Sequence, residues 1–179
     1  MGNINVFYGP MKSGKTQKIL SEFQYQVELG KNVKLFKPSI DVRFDANKVV
    51  SRTGCSANAI NLDNIDELNN YEADVFIIDE FQFLDGNINV IKELSSKGKQ
   101  FFIAGLDLTS DKKDFGQMSS LIKLADYTEQ IKCKCELCKN NNAIYSFFNG
   151  KKDSDIVLGD DEYIPVCEQC YNILTQNNM

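Results

Sequence analysis

Histidine is absent from this chain of 179 residues. Any catalytic base must therefore be a carboxylate or some other group, and any structural metal must be held without imidazole. An excess of positive charge is missing too: 20 Lys and Arg stand against 25 Asp and Glu, a formal net charge of −5. That balance argues against a global electrostatic grip on nucleic acid or on an anionic membrane, but it leaves room for local sites that hold small anions. No apolar run reaches the ~18 residues of a membrane span, and no basic-then-apolar targeting segment opens the chain. The expectation is a soluble, cytoplasmic protein with no nucleic-acid and no membrane partner. With 42% hydrophobic residues, the length supports one sizeable core and a small appendage.

What is present is organised. Ile4 to Tyr8 reads as a short strand, and Thr16 to Leu29 as a helix with Ile19, Leu20, Phe23 and Val27 on one face and Gly30 as its stop. "NVKLFKP" reads as a second strand. Residues 39–58 read as a loop or irregular hairpin on the ligand side, and "NIDELNNY" as a short helix. "ADVFIIDE" is a nearly continuous apolar run of the kind a parallel sheet covers on both faces. A helix over "NINVIKELSSKG", a strand over "KQFFIAGLD", a helix over "FGQMSSLIKLAD" and a last strand at "YTEQIKC" complete the alternation. This is an α/β signature: a phosphate-loop-type parallel sheet flanked by helices over residues 1–132. From Cys133 the texture turns polar and turn-rich, and residues 133–179 read as a small C-terminal subdomain too short for a core of its own.

Gly9-Pro10-Met11-Lys12-Ser13-Gly14-Lys15-Thr16 matches G-x-x-x-x-G-K-[ST] in full. The strand before it and the helix after it are the context this motif needs. The glycines let backbone N–H groups converge on phosphate oxygens, and the helix start adds its positive end. Lys15 is expected at the β- and γ-phosphates of ATP, and the Thr16 hydroxyl on Mg2+. Asp79, at the end of the apolar run, is the candidate to hold the Mg2+, and Glu80 the candidate base beside the γ-phosphate. That base could activate water, giving a hydrolase, or a substrate hydroxyl, giving a kinase.

Six cysteines include two C-x-x-C pairs, Cys135/Cys138 and Cys167/Cys170, separated by the 28 residues 139–166. Four thiolates are the usual shell of a structural Zn2+, and the intervening segment is long enough to return to it. Such a closed shell would fold the lobe rather than catalyse. A disulfide framework is the competing account and suits an acidic, intracellular chain poorly. Cys133 could replace Cys135, though the C-x-x-C geometry favours Cys135.

Taken in order, "GPMKSGKT", "KPSIDVRF", "SRTG", "DEFQF", "GLD" with a later "FG", and "CELC" ahead of "YIPVCEQC" resemble the type II thymidine kinases, the small zinc-containing family of cells and DNA viruses. The resemblance spans nearly the whole chain. It implies transfer of the γ-phosphoryl group of ATP to the 5′-hydroxyl of thymidine, and of deoxyuridine, with Glu80 as general base. It implies Arg43 near the transferring phosphate and Asp41 in support. Met11, Phe83, Leu106, Phe115 and Tyr163 are implied as the thymine pocket, with Val157 in the lasso loop that grips the base edge and is anchored by zinc. A homotetramer inhibited by dTTP is implied as well. The chain departs from the family's common pattern at Lys12, Arg52, Ser110 and Phe147, and its lasso is one residue shorter. Two readings of other classes compete: a phosphate-loop hydrolase or switch, which needs no tailored pocket, and a non-enzymatic zinc-bearing nucleic-acid-binding module, which the acidic balance disfavours.

Overall fold

The structure, a computed structural model, describes residues 2–43, 45–140, 142–150 and 162–177. Its centre is a six-stranded sheet made of β1 (Ile4–Tyr8), β2 (Val33–Pro38), β5 (Ile60–Leu62), β6 (Val75–Ile78), β7 (Gln100–Gly105) and β8 (Tyr127–Gln130). The order across the sheet is β5-β2-β6-β7-β1-β8, and every pairing is parallel. Strand and helix alternate because each parallel return needs a crossover. The crossovers are helix α1 (Lys15–Glu28), the 3₁₀ turn Ile65–Asn70, α2 (Asn89–Ser96) and α3 (Met118–Leu124).

The apolar run "VFII" is buried on both sides by simple alternation. Phe76 and Ile78 face one core with Phe36, Leu68, Ile91, Phe101 and Leu121. Val75 and Ile77 face the other with Ile19, Leu20, Leu35 and Ala104. Phe76 lies nearly flat between Phe36 (5.8 Å, 9°) and Phe101 (5.1 Å, 18°), so three neighbouring strands share one aromatic stack.

Several readings of the sequence shift here. Val27 is exposed (47%), and Gln26 is buried in its stead. The hairpin in residues 39–58 is real, with β3 (Lys48–Val50) antiparallel to β4 (Ser56–Asn58). The edge strand β5 is too short to announce itself in sequence. The "NIDELNNY" segment is 3₁₀, entered through a reciprocal cap in which the Asn64 side chain accepts the Asp66 N–H and the Glu67 side chain accepts the Asn64 N–H.

Beyond β8 the chain forms an antiparallel pair, β9 (Tyr145–Phe148) with β10 (Tyr163–Val166), and then helix α4 (Glu168–Asn177). The helix starts at the second cysteine pair, where Glu168 favours a first turn. Around it sits a small cluster of Cys135, Ala143, Phe147, Val166, Cys167, Cys170 and Tyr171. Phe147, one of the departures from the family pattern, is an apolar member of this cluster and packs edge-on against Tyr171 (5.7 Å). Among the described residues, no helix is long and apolar enough to cross a membrane.

Replacing Phe76 by alanine should remove the middle of the aromatic stack and leave a cavity between strands. A loss of roughly 3–5 kcal/mol is expected in denaturant unfolding. A loss below about 1 kcal/mol would mean that the core closes over the gap.

Candidate active site

Each strand of the parallel sheet that carries a candidate site residue delivers it at its carboxyl end, where open parallel sheets bind ligands; Tyr163 instead opens the antiparallel strand β10. The loop from Gly9 to Gly14 follows β1. Asp41 and Arg43 follow β2, Asp79 and Glu80 follow β6, and Leu106 and Asp107 follow β7.

The phosphate loop wraps tightly. Gly9 has φ 143°, Gly14 φ 93° and Lys12 φ 64°. At Gly9 the conformation is enforced from outside, since a Cβ there would stand 2.2 Å from the Ile131 carbonyl oxygen. Lys15 lies buried across its own loop, with Nζ donating to the carbonyls of Gly9 (3.0 Å) and Pro10 (2.7 Å). Burial pulls its pKa below the ordinary lysine value, and the carboxylates of Glu80 and Asp79 pull the other way.

Adjacent residues on a strand point to opposite faces, so Asp79 and Glu80 can serve one site only if the backbone turns between them. It does. Glu80 adopts the left-handed conformation, φ 52° and ψ 40°, uncommon for a residue with a side chain. Asp79 then accepts the Thr16 hydroxyl (2.9 Å) and the Glu80 N–H (3.0 Å). Glu80 meets Arg43 Nη2 at 2.7 Å, and Arg43 Nε donates to Asp41 at 2.7 Å. Burial works against the Arg43 charge, and the Glu80 and Asp41 carboxylates outweigh it, raising its pKa above the ordinary value. Among the described residues, no cation forms an ion pair with Asp79. Burial and the Glu80 charge push it up to about 7, against the Thr16 hydrogen bond and Lys15.

A cavity of about 220 Å³ opens over these groups. The phosphate loop, Thr16, Arg43, Glu80 and Leu106 line it, joined by Val50 to Thr53 from the β3–β4 hairpin. The hairpin thus lies on the cavity side. Of the residues that the resemblance assigns to a base pocket, Met11 and Leu106 line this cavity. Phe83 and Phe115 instead pack edge-to-face at 5.3 Å, and Tyr163 packs on Phe148 at 5.1 Å. Val157 lies outside the described residues.

Sequence reasoning missed three residues. Buried Lys37 donates to the carbonyls of Lys48 (3.1 Å) and Asp45, pinning the segment that carries Asp41 and Arg43. Buried Gln82 touches Glu80; its place inside "DEFQF" was a usable signal. Ser146, on β9, accepts the Met11 N–H at 2.9 Å and gives no signal in sequence, since its partner lies 135 residues away. Two further contacts bind the C-terminal lobe to the loop after β7. Tyr171 Oη donates to the Ser110 carbonyl (2.7 Å), and the Lys112 ammonium sits over the rings of Tyr145 and Tyr171 (4.0 and 4.1 Å).

The Sγ atoms of Cys135, Cys138, Cys167 and Cys170 all lie within 4.8 Å of one another. None is in a disulfide, and the Cys138–Cys167 separation is 3.8 Å. Burial raises the Cys135 thiol, but backbone N–H groups of Cys138, Cys167 and Leu137 outweigh it and pull it below its ordinary value, while burial pushes Cys170 up. The four sulfurs form a group that could hold a metal ion.

Comparison with known proteins agrees along the whole chain. Residues 2–171 match the thymidine kinase family. The chain is 36% identical over 174 residues to a thymidine kinase of Porphyromonas gingivalis, covering 95% of this chain and 85% of that one. It is 34% identical over 176 residues to one of Mycoplasma mobile, covering 95% and 87%. It is 32% identical over 183 residues to one of Pseudothermotoga lettingae, covering 99% and 98%.

The Asp79 environment yields a test. A carboxyl whose folded pKa is raised, here to about 7, stabilises the fold below its unfolded pKa, and that contribution is lost as pH rises towards the folded value. Without added divalent cation, the melting midpoint of the unmodified protein should fall between about pH 4 and pH 7 relative to that of D79N, with D79N the more stable protein at the higher pH. A gap that ignores pH would show that Asp79 bears no burial penalty.

Proposed function

The chain belongs to the thymidine kinase family, and on that premise we propose that it transfers the γ-phosphoryl group of ATP to the 5′-hydroxyl of thymidine, giving dTMP and ADP, with deoxyuridine as a second acceptor. The supporting observation is a carboxylate, Glu80, fixed by Arg43 at the mouth of a phosphate loop. In this reading Glu80 takes the proton of the 5′-hydroxyl. The freed oxygen attacks the γ-phosphorus, and the bond to the bridging oxygen breaks, leaving its electron pair on ADP. Lys15 leaves the Gly9 and Pro10 carbonyls for the phosphate oxygens. Arg43 faces the transferring group, and Asp41 keeps its fork in plane.

Thr16 and Asp79 would hold Mg2+, which when bound neutralises phosphate charge. A buried carboxyl whose pKa is raised by burial and by the Glu80 charge suits that ion. Met11, Leu106, Phe83, Phe115, Tyr163 and Val157 are proposed to receive the base. Cys135, Cys138, Cys167 and Cys170 are proposed to hold structural Zn2+. Tetrahedral Zn–S bonds of about 2.3 Å separate the sulfurs by roughly 3.8 Å, the spacing found between Cys138 and Cys167. We read residues 1–132 as the catalytic unit and 133–179 as the lobe that the metal folds. Cytoplasmic location, a homotetramer and dTTP inhibition belong to the proposal on the strength of the resemblance. A hydrolase or switch and a nucleic-acid-binding module are not favoured.

Phosphate transfer from labelled ATP to a panel of nucleosides tests the reading, with thymidine expected far ahead of deoxyadenosine. Label released only as inorganic phosphate would mark a hydrolase. E80Q should bind ATP normally and transfer about 10²–10⁴-fold more slowly; turnover near the unmodified rate would remove Glu80 as base. Elemental analysis should find a single zinc per chain. Its removal by chelation should melt the C-terminal lobe first, and a metal-free, fully folded protein would refute the site.

A further inference from the structure

We propose that Gln82 is a positioning residue, one that clamps the Glu80 carboxylate in the orientation that proton transfer requires. The inference rests on the reading of Glu80 as the base. Gln82 is 4% exposed and lies in the 3₁₀ turn Phe81–Phe83, directly after Glu80. Both ends of its carboxamide are used. Nε2 donates to Glu80 Oε2 at 2.5 Å, and Oε1 accepts the Leu106 N–H at 3.0 Å.

Glu80 is therefore gripped on both oxygens, by Arg43 on Oε1 and by Gln82 on Oε2. Each ionised oxygen retains a second lone pair, so the grip fixes the plane of the carboxylate without occupying it. Arg43 alone cannot do this. One donor on one oxygen leaves rotation about the last side-chain bond open, and that torsion has a broad minimum. Gln82 supplies the second point and refers it to the backbone of β7's end, which is rigid.

The surroundings are close-packed about this residue. A Cβ on Gly105 would stand 2.7 Å from Met118 Sδ and 2.8 Å from Gln82 Oε1, and one on Gly116 would stand 2.2 Å from the Gln82 backbone carbonyl oxygen. The glycine of "GLD" thus leaves room for the Gln82 carboxamide and for Met118, and that of the later "FG" for the backbone at Gln82. Leu106, whose N–H Gln82 holds, lines the cavity next to Glu80. One carboxamide therefore ties the base to a wall of the acceptor site.

The test is a double-mutant cycle between positions 82 and 80, because a merely structural residue would cost the same with or without the Glu80 carboxylate. In Q82M, kcat for thymidine phosphorylation should fall about 10-fold to 100-fold, the scale of a misplaced catalytic group, with the KM for ATP changed by less than about twofold. In the E80Q background the same replacement should cost less than about twofold. Q82E keeps the size of the side chain and the acceptor for the Leu106 N–H while replacing the donor, so it should lose kcat similarly. If Q82M fails to fold, Q82E carries the cycle alone. Wild-type kcat in either variant, or an equal loss with and without Glu80, would overturn the proposal. A chain that itself fails to phosphorylate thymidine would overturn the reading of function and this inference with it. A working chain matched by its Gln82 variants would overturn the inference alone.

Discussion

Acidic and basic side chains crowd a place from which most water is excluded, and they hold one another in position. Asp41, Arg43 and Glu80 form a continuous chain of contacts at 2.7 Å per link. Charges this deep survive only when paired and hydrogen-bonded, and removing one partner strands the next. The rest of the molecule can be understood as what that chain requires. Lys37 pins the segment carrying two of its members. The left-handed turn at Glu80 brings in the third. Asp79, adjacent but outside the chain of contacts, has its pKa driven up by burial and by the Glu80 charge.

The C-terminal lobe does more than accompany this arrangement. Its strand β9 supplies the acceptor for an N–H of the phosphate loop itself, and its helix α4 and strand β9 grip the loop after β7 through Tyr171 and Tyr145. Whatever holds the four cysteines therefore bears on the shape of the nucleotide site as well as on the lobe. A hydrogen bond to a backbone N–H that would otherwise be free to turn towards phosphate is a structural choice. It commits Met11 to the lobe and leaves the remaining N–H groups of the loop for the ligand.

Sequence showed the sheet well because its strands are buried on both faces and read as unbroken apolar runs, "VFII" most plainly. It showed the phosphate loop and the cysteine pairs because both are local patterns with fixed spacing. It missed β5, three residues long at an edge, and α4, whose apolar face is set by a lobe built around cysteines. Within the site, the residues of motifs were legible and their partners were less so. Lys37, Gln82 and Ser146 act through contacts whose other ends are 11, 24 and 135 residues away. Nothing in a linear spacing encodes such a contact. The left-handed backbone at Glu80 was implied only indirectly, by the need for neighbouring carboxyls to work on one side of a strand end.

The sheet order sets a timetable for the nascent chain. β1 is made first, yet both its neighbours, β7 and β8, come late: Asn5 bonds across 96 residues to Phe101, and Ile4 across 122 to Asp126. At a synthesis rate of about 5–20 residues per second, the first strand waits roughly 6–24 s for its second neighbour. Until β7 is made, Val6 and Phe7 have no strand to pair with. The first strand of the sheet to be made is thus among the last to acquire its native setting.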